Sequence, residues 1–313
     1  MFQYKIVKEF EDVTNTDEIV ARGYVRENGW DLSKALNSYL RPKNEEVIIG
    51  AFQSRFPNEA PNQLTMITWN IDGLDDENLM ERTTKVIETI EEFRADIVFL
   101  QEVIPETFSY IVSKLPNYEC IAADQERYFV ATLLRRGRVY LDRFEVLEFP
   151  TSMMGRHLLS VQAHCGNVEM DLLITHLESM KDHSKERMTQ LLQCLEIMTK
   201  RPSDRSVIFG GDLNIRDKEI VTIGGLPPKV IDVWEYLGRR RQVEFTWDMK
   251  NNTNKHFDGF KPRCRFDRVY LRRSVSDNLT VTQFDLEGRQ KIREIRKSDH
   301  WAIRIRLKLY HSK

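Results

Sequence analysis

Acids and amides that can handle a phosphate group follow several apolar segments of this 313-residue chain. The most informative pair is Asp212 and Asn214, which come directly after the apolar run 205–209 and Gly210-Gly211. The run predicts a buried strand, and the glycines permit a sharp turn where other side chains would clash. Asp212 and Asn214 project on the same side of an extended chain, where they can order a water molecule and bind a phosphate oxygen. Gly-Asp-x-Asn also occurs in ordinary turns, so this stretch alone leaves the function open.

Comparable polar residues lie at the ends of other apolar segments. They are Asn70 and Asp72, Gln101-Glu102, His176 with Glu178 and Ser179, and Asp299-His300. Each has a simple structural explanation, since a glutamate after a strand is usually solvated and a histidine is often packed or capping. Their joint occurrence, each at the end or start of an expected strand, favours one shared site.

The segments that carry these residues alternate between strand and helix from residue 64 onward. Apolar periodicity predicts helices over 78–93, 107–115 and 184–200. Strands are predicted over 64–69, 96–100, 129–134, 139–147, 158–164, 168–177, 205–209, 265–271, 280–286 and 301–309. This mixture predicts an α/β fold, a sandwich of two packed mixed sheets flanked by helices.

The amino-terminal residues 1–45 form a separate unit in this interpretation. Asn15 or Thr16 can cap one helix and Asp31 another, and an earlier helix gives three in all. Residues 46–63 are polar and contain two prolines, so a linker is predicted before the catalytic domain 64–313. The pattern around Asn28-Gly29-Trp30-Asp31 and Ala35-Leu36 resembles ubiquitin-associated domains. The resemblance implies that ubiquitin is a partner; a helical appendage that packs on the main domain is the alternative.

Composition restricts the class of protein. The formal net charge is −1 and 30% of residues are charged, so a DNA-binding surface must come from local clustering of basic groups. Cys120, Cys165, Cys194 and Cys264 are scattered, which argues against a zinc site or disulfide framework and suits a reducing compartment. No apolar run approaches membrane-spanning length, so we expect a soluble intracellular protein that makes no membrane contact.

The polar set and its order resemble the endonuclease/exonuclease/phosphatase family over roughly residues 64–310. The resemblance implies a four-layer α/β sandwich that hydrolyses phosphate esters with Mg²⁺, for which Mn²⁺ could substitute. Glu102 is the expected Mg²⁺ ligand, because hard cations prefer carboxylate oxygen and Mg²⁺ keeps several waters. Asp299 is expected to assist it or to orient a histidine.

The remaining roles follow the family pattern. Asp212 is expected to align the attacking water, with Asn70 and Asn214 positioning water and phosphate. His300 and His176 are expected to contact the phosphate. Asp267 is expected to orient His300; the alternative is a salt bridge between Asp267 and Arg265 or Arg268.

A narrower resemblance concerns the motifs at 68–74, 152–156, 176–179 and 298–301. They are similar to the branch of the family that releases tyrosine from DNA 5′ ends. This implies hydrolysis of the 5′-phosphotyrosyl bond between DNA and trapped topoisomerase II, leaving a 5′-phosphate for double-strand break repair. Trp247 is expected to stack on DNA, and Arg216 and Ser179 to contact phosphate. A core position for Trp247 and a surface salt bridge for Arg216 are the alternatives.

Other functions stay open at this point. An abasic-site endonuclease and an inositol 5-phosphatase are rivals within the family, and a ubiquitin-binding adaptor with an inactive catalytic fold is a rival of another class. We expect a nuclear monomer, with a cytoplasmic location left open.

Overall fold

The computed structural model describes residues 2–14, 18–40, 60–123, 127–256, 259–292 and 295–311. The chain divides into two compact units, Met1–Pro57 and Asn58–Lys313. The predicted linker at 46–63 lies outside the described residues as far as position 59, and its last residue, Gln63, begins the first strand. The predicted helix caps Asn15 and Thr16 also lie outside the described residues.

The described part of the first unit contains three helices, as the sequence predicted. They are α1 (Phe2–Thr14), α2 (Glu18–Glu27) and α3 (Leu32–Leu40). Gly29 and Trp30 adopt positive φ between the second and third helices, and Asp31 Oδ1 accepts a hydrogen bond from the backbone N of Lys34 at 3.0 Å. The small apolar core includes Phe10 and Val25, both fully buried.

The second unit is built from strands with helices inserted between them. In chain order its strands are β1 (Gln63–Asn70), β2 (Ile97–Val103), β3 (Tyr118–Ala122), β4 (Phe129–Arg135), β5 (Tyr140–Glu148), β6 (His157–Cys165), β7 (Val168–His176), β8 (Ser206–Asp212), β9 (Val230–Asp232), β10 (Trp247–Asp248), β11 (Arg263–Cys264), β12 (Asp267–Arg272), β13 (Leu279–Glu287), β14 (Lys291–Ile292), β15 (Ile295–Arg296) and β16 (Ala302–Leu309). Its helices are α4 (Leu79–Glu92), α5 (Pro105–Lys114), α6 (Ser184–Lys200), α7 (Asp217–Thr222), α8 (Val233–Tyr236) and a 3₁₀ turn at Arg241–Val243.

Two six-stranded sheets pack face to face within the described residues. The first has the order β13-β16-β1-β2-β4-β3 and the second the order β5-β6-β7-β8-β12-β9. Apolar side chains from both sheets fill the space between them. Side chains of α4 and α5 share a cluster with the first sheet, and those of α6 share one with the second. The layers therefore run helix, sheet, sheet, helix, which confirms the predicted α/β sandwich.

The long helices and strands lie where apolar periodicity predicted them. The short helices and strands had no periodic pattern in the sequence. The helix α6 has its predicted bounds, whereas α5 begins at Pro105 rather than at 107, because proline fits the first turn of a helix. The predicted strand 265–271 begins instead at Asp267. The strands β3 and β9, the two-residue strands and the helices α7 and α8 are too short for a periodic pattern. Among the described helices, none has the length and apolar character needed to cross a membrane.

Candidate active site

Each sheet contains one parallel pair of strands, and the carboxyl ends of these pairs carry the predicted site residues. In the first sheet β1 and β2 end at Asn70 and near Glu102, and in the second β7 and β8 end at His176 and Asp212. The amide Nδ2 of Asn70 donates to Glu102 Oε1 at 2.9 Å and to Asp212 Oδ2 at 3.0 Å. One buried amide therefore joins the acids of the two sheets, and we name this edge the catalytic rim.

The backbone at the catalytic rim is in an unusual conformation. Asp72, Glu102 and Asn214 have φ values of 52°, 55° and 50°, in the left-handed region that non-glycine residues rarely adopt. Two glycines permit close approach: a Cβ at Gly73 would lie 2.1 Å from the carbonyl O of Glu102, and one at Gly211 would lie 2.1 Å from that of Thr175. Strained backbone of this kind concentrates at functional sites.

A histidine and an aspartate form the most direct pair of the site. His300 Nδ1 lies 2.7 Å from Asp267 Oδ2, and Asp267 is the cross-strand partner of Asp212. The alternative salt bridges of Asp267 with Arg265 or Arg268 are not seen: Arg265 bonds Asp232, and Arg268 bonds a different aspartate, Asp217. The structure thus brings the His300–Asp267 pair beside Asp212.

The imidazole rings of His300 and His176 both lie close to the carboxylate of Asp212. His300 Nε2 is 3.7 Å and His176 Nε2 is 3.4 Å from Asp212 Oδ2. His176 Nε2 is also 3.9 Å from Glu102 Oε1. The carboxylate of Asp212 is therefore surrounded by two imidazoles and an amide, all buried.

Burial of several like charges shifts the pKa of the acids upward. Burial, and then the charge of Asp299, raise the pKa of Glu102 to about 7 and that of Asp72 to about 6. Burial raises the pKa of Asp212 to about 6, although the charge of His300 lowers it. These shifts mean that the acids lack enough positive charge nearby.

The two histidines shift in opposite directions. Burial lowers the pKa of His176 well below its ordinary value, and the charges of Arg156 and His300 lower it further. Burial also acts to lower the pKa of His300, but Asp267, Asp299 and Asp212 together raise it well above its ordinary value. His176 is therefore neutral and His300 charged at neutral pH.

The donor set of the catalytic rim fits a divalent cation. Among the described residues, two groups have ligand atoms within 4.8 Å of one another: Glu102 with His176 and Asp212, and Asp212 with Asp267 and His300. Glu102 keeps 17% of its side chain exposed. A hard cation prefers such carboxylate oxygens and would offset the like charges that raise the pKa values.

The predicted DNA-contacting residues lie beside Asp299. Trp247 Nε1 donates to Asp299 Oδ2 at 3.0 Å, and its indole lies 5.5 Å from the ring of Phe266. The guanidinium of Arg216 lies 5.1 Å from that same ring, and its Nη1 donates to the carbonyl O of Asn214 at 2.9 Å. Trp247 is half-buried rather than a core residue. Phe266, which joins the other two, was missed because an aromatic residue inside a strand pattern gives no separate signal.

Ser179 and Asn214 contact other protein groups at the rim, and their contacts with phosphate stay a prediction. Ser179 Oγ lies 3.2 Å from Met154 Sδ, and the side-chain amide of Asn214 donates to the carbonyl O of Leu177 at 3.3 Å. Ser179 is thus linked to the site through Met154. Asn214 contacts Asp212 through its backbone N, which donates to Asp212 Oδ1 at 3.0 Å.

A cation and an aromatic ring that the sequence did not assign flank His176. Arg156 Nη1 lies 2.8 Å from His176 Nδ1, and its guanidinium lies 4.9 Å from the ring of Tyr128. These residues line a small pocket next to the catalytic rim. The Met-Gly-Arg sequence before β6 was the available signal for Arg156, whereas Tyr128 had none.

The fold and the site agree with those of known proteins. The model of the endonuclease/exonuclease/phosphatase family matches residues 67–300, and the model of the UBA-like domain matches residues 5–44. Human tyrosyl-DNA phosphodiesterase 2 is 37% identical, in an alignment that covers 94% of this chain and 90% of the human protein. The Danio rerio protein of that name is 33% identical over 96% of each chain.

Solved structures give the same result. A crystal structure of D. rerio TDP2 with single-strand DNA product has a TM-score of 0.78 and 38% identity, covering 79% of this chain and 100% of that one. A crystal structure of TDP2 from Caenorhabditis elegans has a TM-score of 0.72 and 32% identity, covering 98% of this chain and 94% of that one. The chain is a phosphodiesterase that belongs to the endonuclease/exonuclease/phosphatase family, in the group of the tyrosyl-DNA phosphodiesterase 2 proteins.

Proposed function

We propose that this enzyme hydrolyses the 5′-phosphotyrosyl bond between DNA and a trapped topoisomerase II and leaves a 5′-phosphate, in repair of double-strand breaks in the nucleus. The observation that carries the proposal is the Asn70 amide bonded to both Glu102 and Asp212, with the His300–Asp267 pair alongside. The identity of 37% to human tyrosyl-DNA phosphodiesterase 2 supports the choice of substrate.

The water-handling group is Asp212 in this mechanism. Its buried carboxylate has a raised pKa of about 6, so it is a better proton acceptor than a solvated aspartate and is still ionised at neutral pH. Asn70 fixes one oxygen of that carboxylate, and the backbone N of Asn214 fixes the other. Asp212 can therefore orient a water and accept its proton as the bond to phosphorus forms.

The phosphate-handling groups are the two histidines. His300 is charged, its Nδ1 is taken by Asp267, and its Nε2 faces the rim. Because Arg156 donates to His176 Nδ1, the neutral ring of His176 carries its proton on Nε2, toward the rim. Both Nε2–H groups can thus donate to phosphate oxygens as negative charge develops. Tyrosine leaves as a phenolate, a good leaving group that needs little help from a general acid.

We propose that Mg²⁺, with Mn²⁺ able to substitute, is held by Glu102 with the assistance of Asp299. The raised pKa of Glu102, caused by burial and by Asp299, is what a missing positive charge would produce. When bound, the ion supplies charge neutralisation of the phosphate.

The DNA strand is proposed to lie along Trp247, Phe266 and Arg216. The half-buried ring of Trp247 can stack a base, and the Arg216 guanidinium, which packs on the buried ring of Phe266, can contact the backbone. Ser179 is kept as a proposed phosphate contact, which would require its hydroxyl to leave Met154.

One assay separates the rival functions. The protein and Mg²⁺ are incubated with a 5′-phosphotyrosyl oligonucleotide, a duplex that contains an abasic site, and an inositol polyphosphate. We expect tyrosine release from the first substrate and no cleavage of the other two. Cleavage of the abasic duplex or of the inositol phosphate alone would favour the rival within the family, and no reaction at all would favour the adaptor.

We also propose ubiquitin binding by the amino-terminal unit, because a UBA-like domain matches residues 5–44. Deletion of residues 1–45 is expected to abolish ubiquitin binding and to spare hydrolysis of a short oligonucleotide. Loss of hydrolysis would instead assign the unit a structural role. A monomeric enzyme is proposed, which size-exclusion chromatography with light scattering tests.

A further inference from the structure

A second cavity lies on the other side of the segment that carries Trp247. It has a volume of about 310 Å³, at the lower end of the range for small-molecule sites, ~300–1,000 Å³. Asp248 and Trp301 line it, and each follows directly after a residue of the active site, Trp247 and His300. Neighbouring side chains project to opposite sides of an extended backbone. The cavity and the catalytic rim therefore lie on two faces of the same backbone segment.

The lining of this cavity is strongly basic. Four of its residues are arginines: Arg241, Arg263, Arg289 and Arg296. Within the described lining the acid is Asp248, and it is already occupied, because Arg263 donates to both of its carboxylate oxygens at 2.9 and 2.8 Å. Three guanidinium groups consequently remain without a carboxylate partner.

The contacts of those three arginines leave donors available. In the described part of the chain, Arg241, Arg289 and Arg296 form no ion pair. Arg289 Nη2 donates to the carbonyl O of Gln242 at 2.7 Å. Arg296 donates to the carbonyl oxygens of Arg289 and Asn251. Uncharged carbonyls position Arg289 and Arg296, and among the described residues no carboxylate compensates the charge of the three arginines.

Arg296 carries the clearest sign of a missing ligand. Its Nε is buried and has no acceptor, and its guanidinium lies 5.6 Å from the ring of Trp301. Burial lowers the pKa of Arg296, and no carboxylate offsets that effect. A buried N–H donor without a partner is costly, so an acceptor in the cavity would stabilise this arrangement.

We propose that this cavity is a binding site for a small phosphorylated anion, separate from the catalytic rim. Guanidinium groups match phosphate oxygens with paired, charge-assisted hydrogen bonds. Three uncompensated arginines suit more than one negative charge, as in a pyrophosphate group. A small anion is favoured over a nucleic-acid strand because the volume of the cavity is that of a small molecule and the buried Trp301 forms part of its lining.

The test is a calorimetric titration of inorganic pyrophosphate into the full chain at low salt, with EDTA present to remove divalent ions. We expect one pyrophosphate to bind per chain. Arg241→Met and Arg296→Met should each weaken binding about tenfold, equivalent to about 1.4 kcal/mol. Arg241 is exposed, so Arg241→Met should leave the fold intact. This variant therefore tests the cavity even if Arg296→Met lowers the melting temperature.

Arg239→Met is the matched control. Arg239 lies two residues before Arg241, is exposed and pairs with Glu235 outside the cavity, so pyrophosphate binding should be unchanged. Absence of binding by the unmodified chain, or equal binding by all the variants, would overturn the proposal.

A second titration distinguishes a free phosphorylated anion from the phosphate groups of a DNA strand. The titration is repeated with the chain saturated by a 5′-phosphorylated single-stranded oligonucleotide. Unchanged pyrophosphate affinity supports a separate site for a small anion. Loss of binding would mean that DNA covers the cavity or that pyrophosphate occupies the catalytic rim, and the proposal would fail. Neither arm requires catalytic activity, so the result is independent of the proposed function.

Discussion

The two sheets of the catalytic unit have the same architecture. Read from β13, the first sheet runs β13-β16-β1-β2-β4-β3, and read from β9, the second runs β9-β12-β8-β7-β6-β5. In both, the third and fourth strands are the parallel pair and the remaining neighbours are antiparallel. The sheets therefore present equivalent strand ends to the catalytic rim.

The turns after the third strands are also built alike. Asn70 Oδ1 accepts a hydrogen bond from the backbone N of Asp72 at 2.9 Å, and Asp212 Oδ1 accepts one from that of Asn214 at 3.0 Å. The second residue of each pair has positive φ. In both turns a side-chain oxygen bonds the backbone two residues later, as in Asx turns.

Equivalent positions nevertheless carry different chemical groups. The third strand ends in an amide, Asn70, in one sheet and in an acid, Asp212, in the other; the fourth ends near Glu102 in one and at His176 in the other. The comparison teaches that one backbone arrangement serves two tasks. In our proposal Glu102 of the first sheet holds the cation, and Asp212 and His176 of the second sheet handle water and phosphate. His300, which lies just before β16 of the first sheet, is the second phosphate contact.

Asp212→Asn is expected to have the largest effect. The amide keeps the turn but cannot accept a proton, so kcat should fall by about 10²–10⁴, as for loss of a general base. Kinetics with a 5′-phosphotyrosyl oligonucleotide measure the loss, and additional Mg²⁺ should not restore activity. Asp76→Asn, at an exposed position of the same edge, is the control and should be near normal. Rescue of Asp212→Asn by Mg²⁺ would assign the metal to the second sheet instead.

Glu102→Gln is the counterpart in the first sheet. Loss of one carboxylate charge should weaken Mg²⁺ binding about tenfold or more, since even the groups that orient ligands are worth about 10–100-fold. Calorimetric titration of Mg²⁺ measures this directly, and higher Mg²⁺ should recover part of the activity. Glu106→Gln, in the first turn of α5, is the control. Unaltered Mg²⁺ affinity would remove Glu102 from the metal site.

Gly73→Ala and Gly211→Ala compare the close backbone packing on the two sides of the rim, at positions that differ in the two turns. Each new Cβ would meet a carbonyl oxygen at 2.1 Å, and the backbone has to shift. We expect each to lower the free energy of unfolding by about 1–3 kcal/mol, the usual range for overpacking. Urea denaturation measures both. Gly23→Ala, where a Cβ meets nothing within 4 Å, should not destabilise its helix. A free energy of unfolding that is unchanged at either rim glycine would show that the backbone on that side of the rim can accept a methyl group.

Lys255→Met should give the smallest effect. Lys255 Nζ lies 2.8 Å from Asp72 Oδ2 and 2.6 Å from Asp75 Oδ2. In the other turn the cation on the equivalent residue is Arg216, which bonds the carbonyl O of Asn214. With its side chain 32% exposed, the Lys255 ion pair should be worth about 0.5–1 kcal/mol. The melting temperature in EDTA should fall by about 1–4 °C. Lys250→Met, at an exposed position, is the control. An equal fall in melting temperature for Lys250→Met would show that the ion pairs of Lys255 add no specific stability.

Much of the fold could be predicted because α6 has a helical apolar period and β8 is a continuous apolar run. The candidate site residues could be grouped because each lies at the end or start of such a segment. The equivalence of the two sheets could not be predicted, because it lies in strand order and hydrogen bonds rather than in repeated residues. Phe266 and Tyr128 reach the site only through tertiary packing, which no local pattern encodes, and Arg156 had a local signal but no assigned role.

The left-handed backbone of Glu102 has a consequence for protein engineering. A glycine there would relieve conformational strain and would also remove a buried carboxylate whose charge is poorly compensated. Both changes are expected to raise thermal stability in the absence of metal. Because Glu102 holds the metal in our proposal, selection of variants for heat resistance alone would enrich replacements at Glu102 that fold but lose activity. Such a screen has to include turnover from its first round.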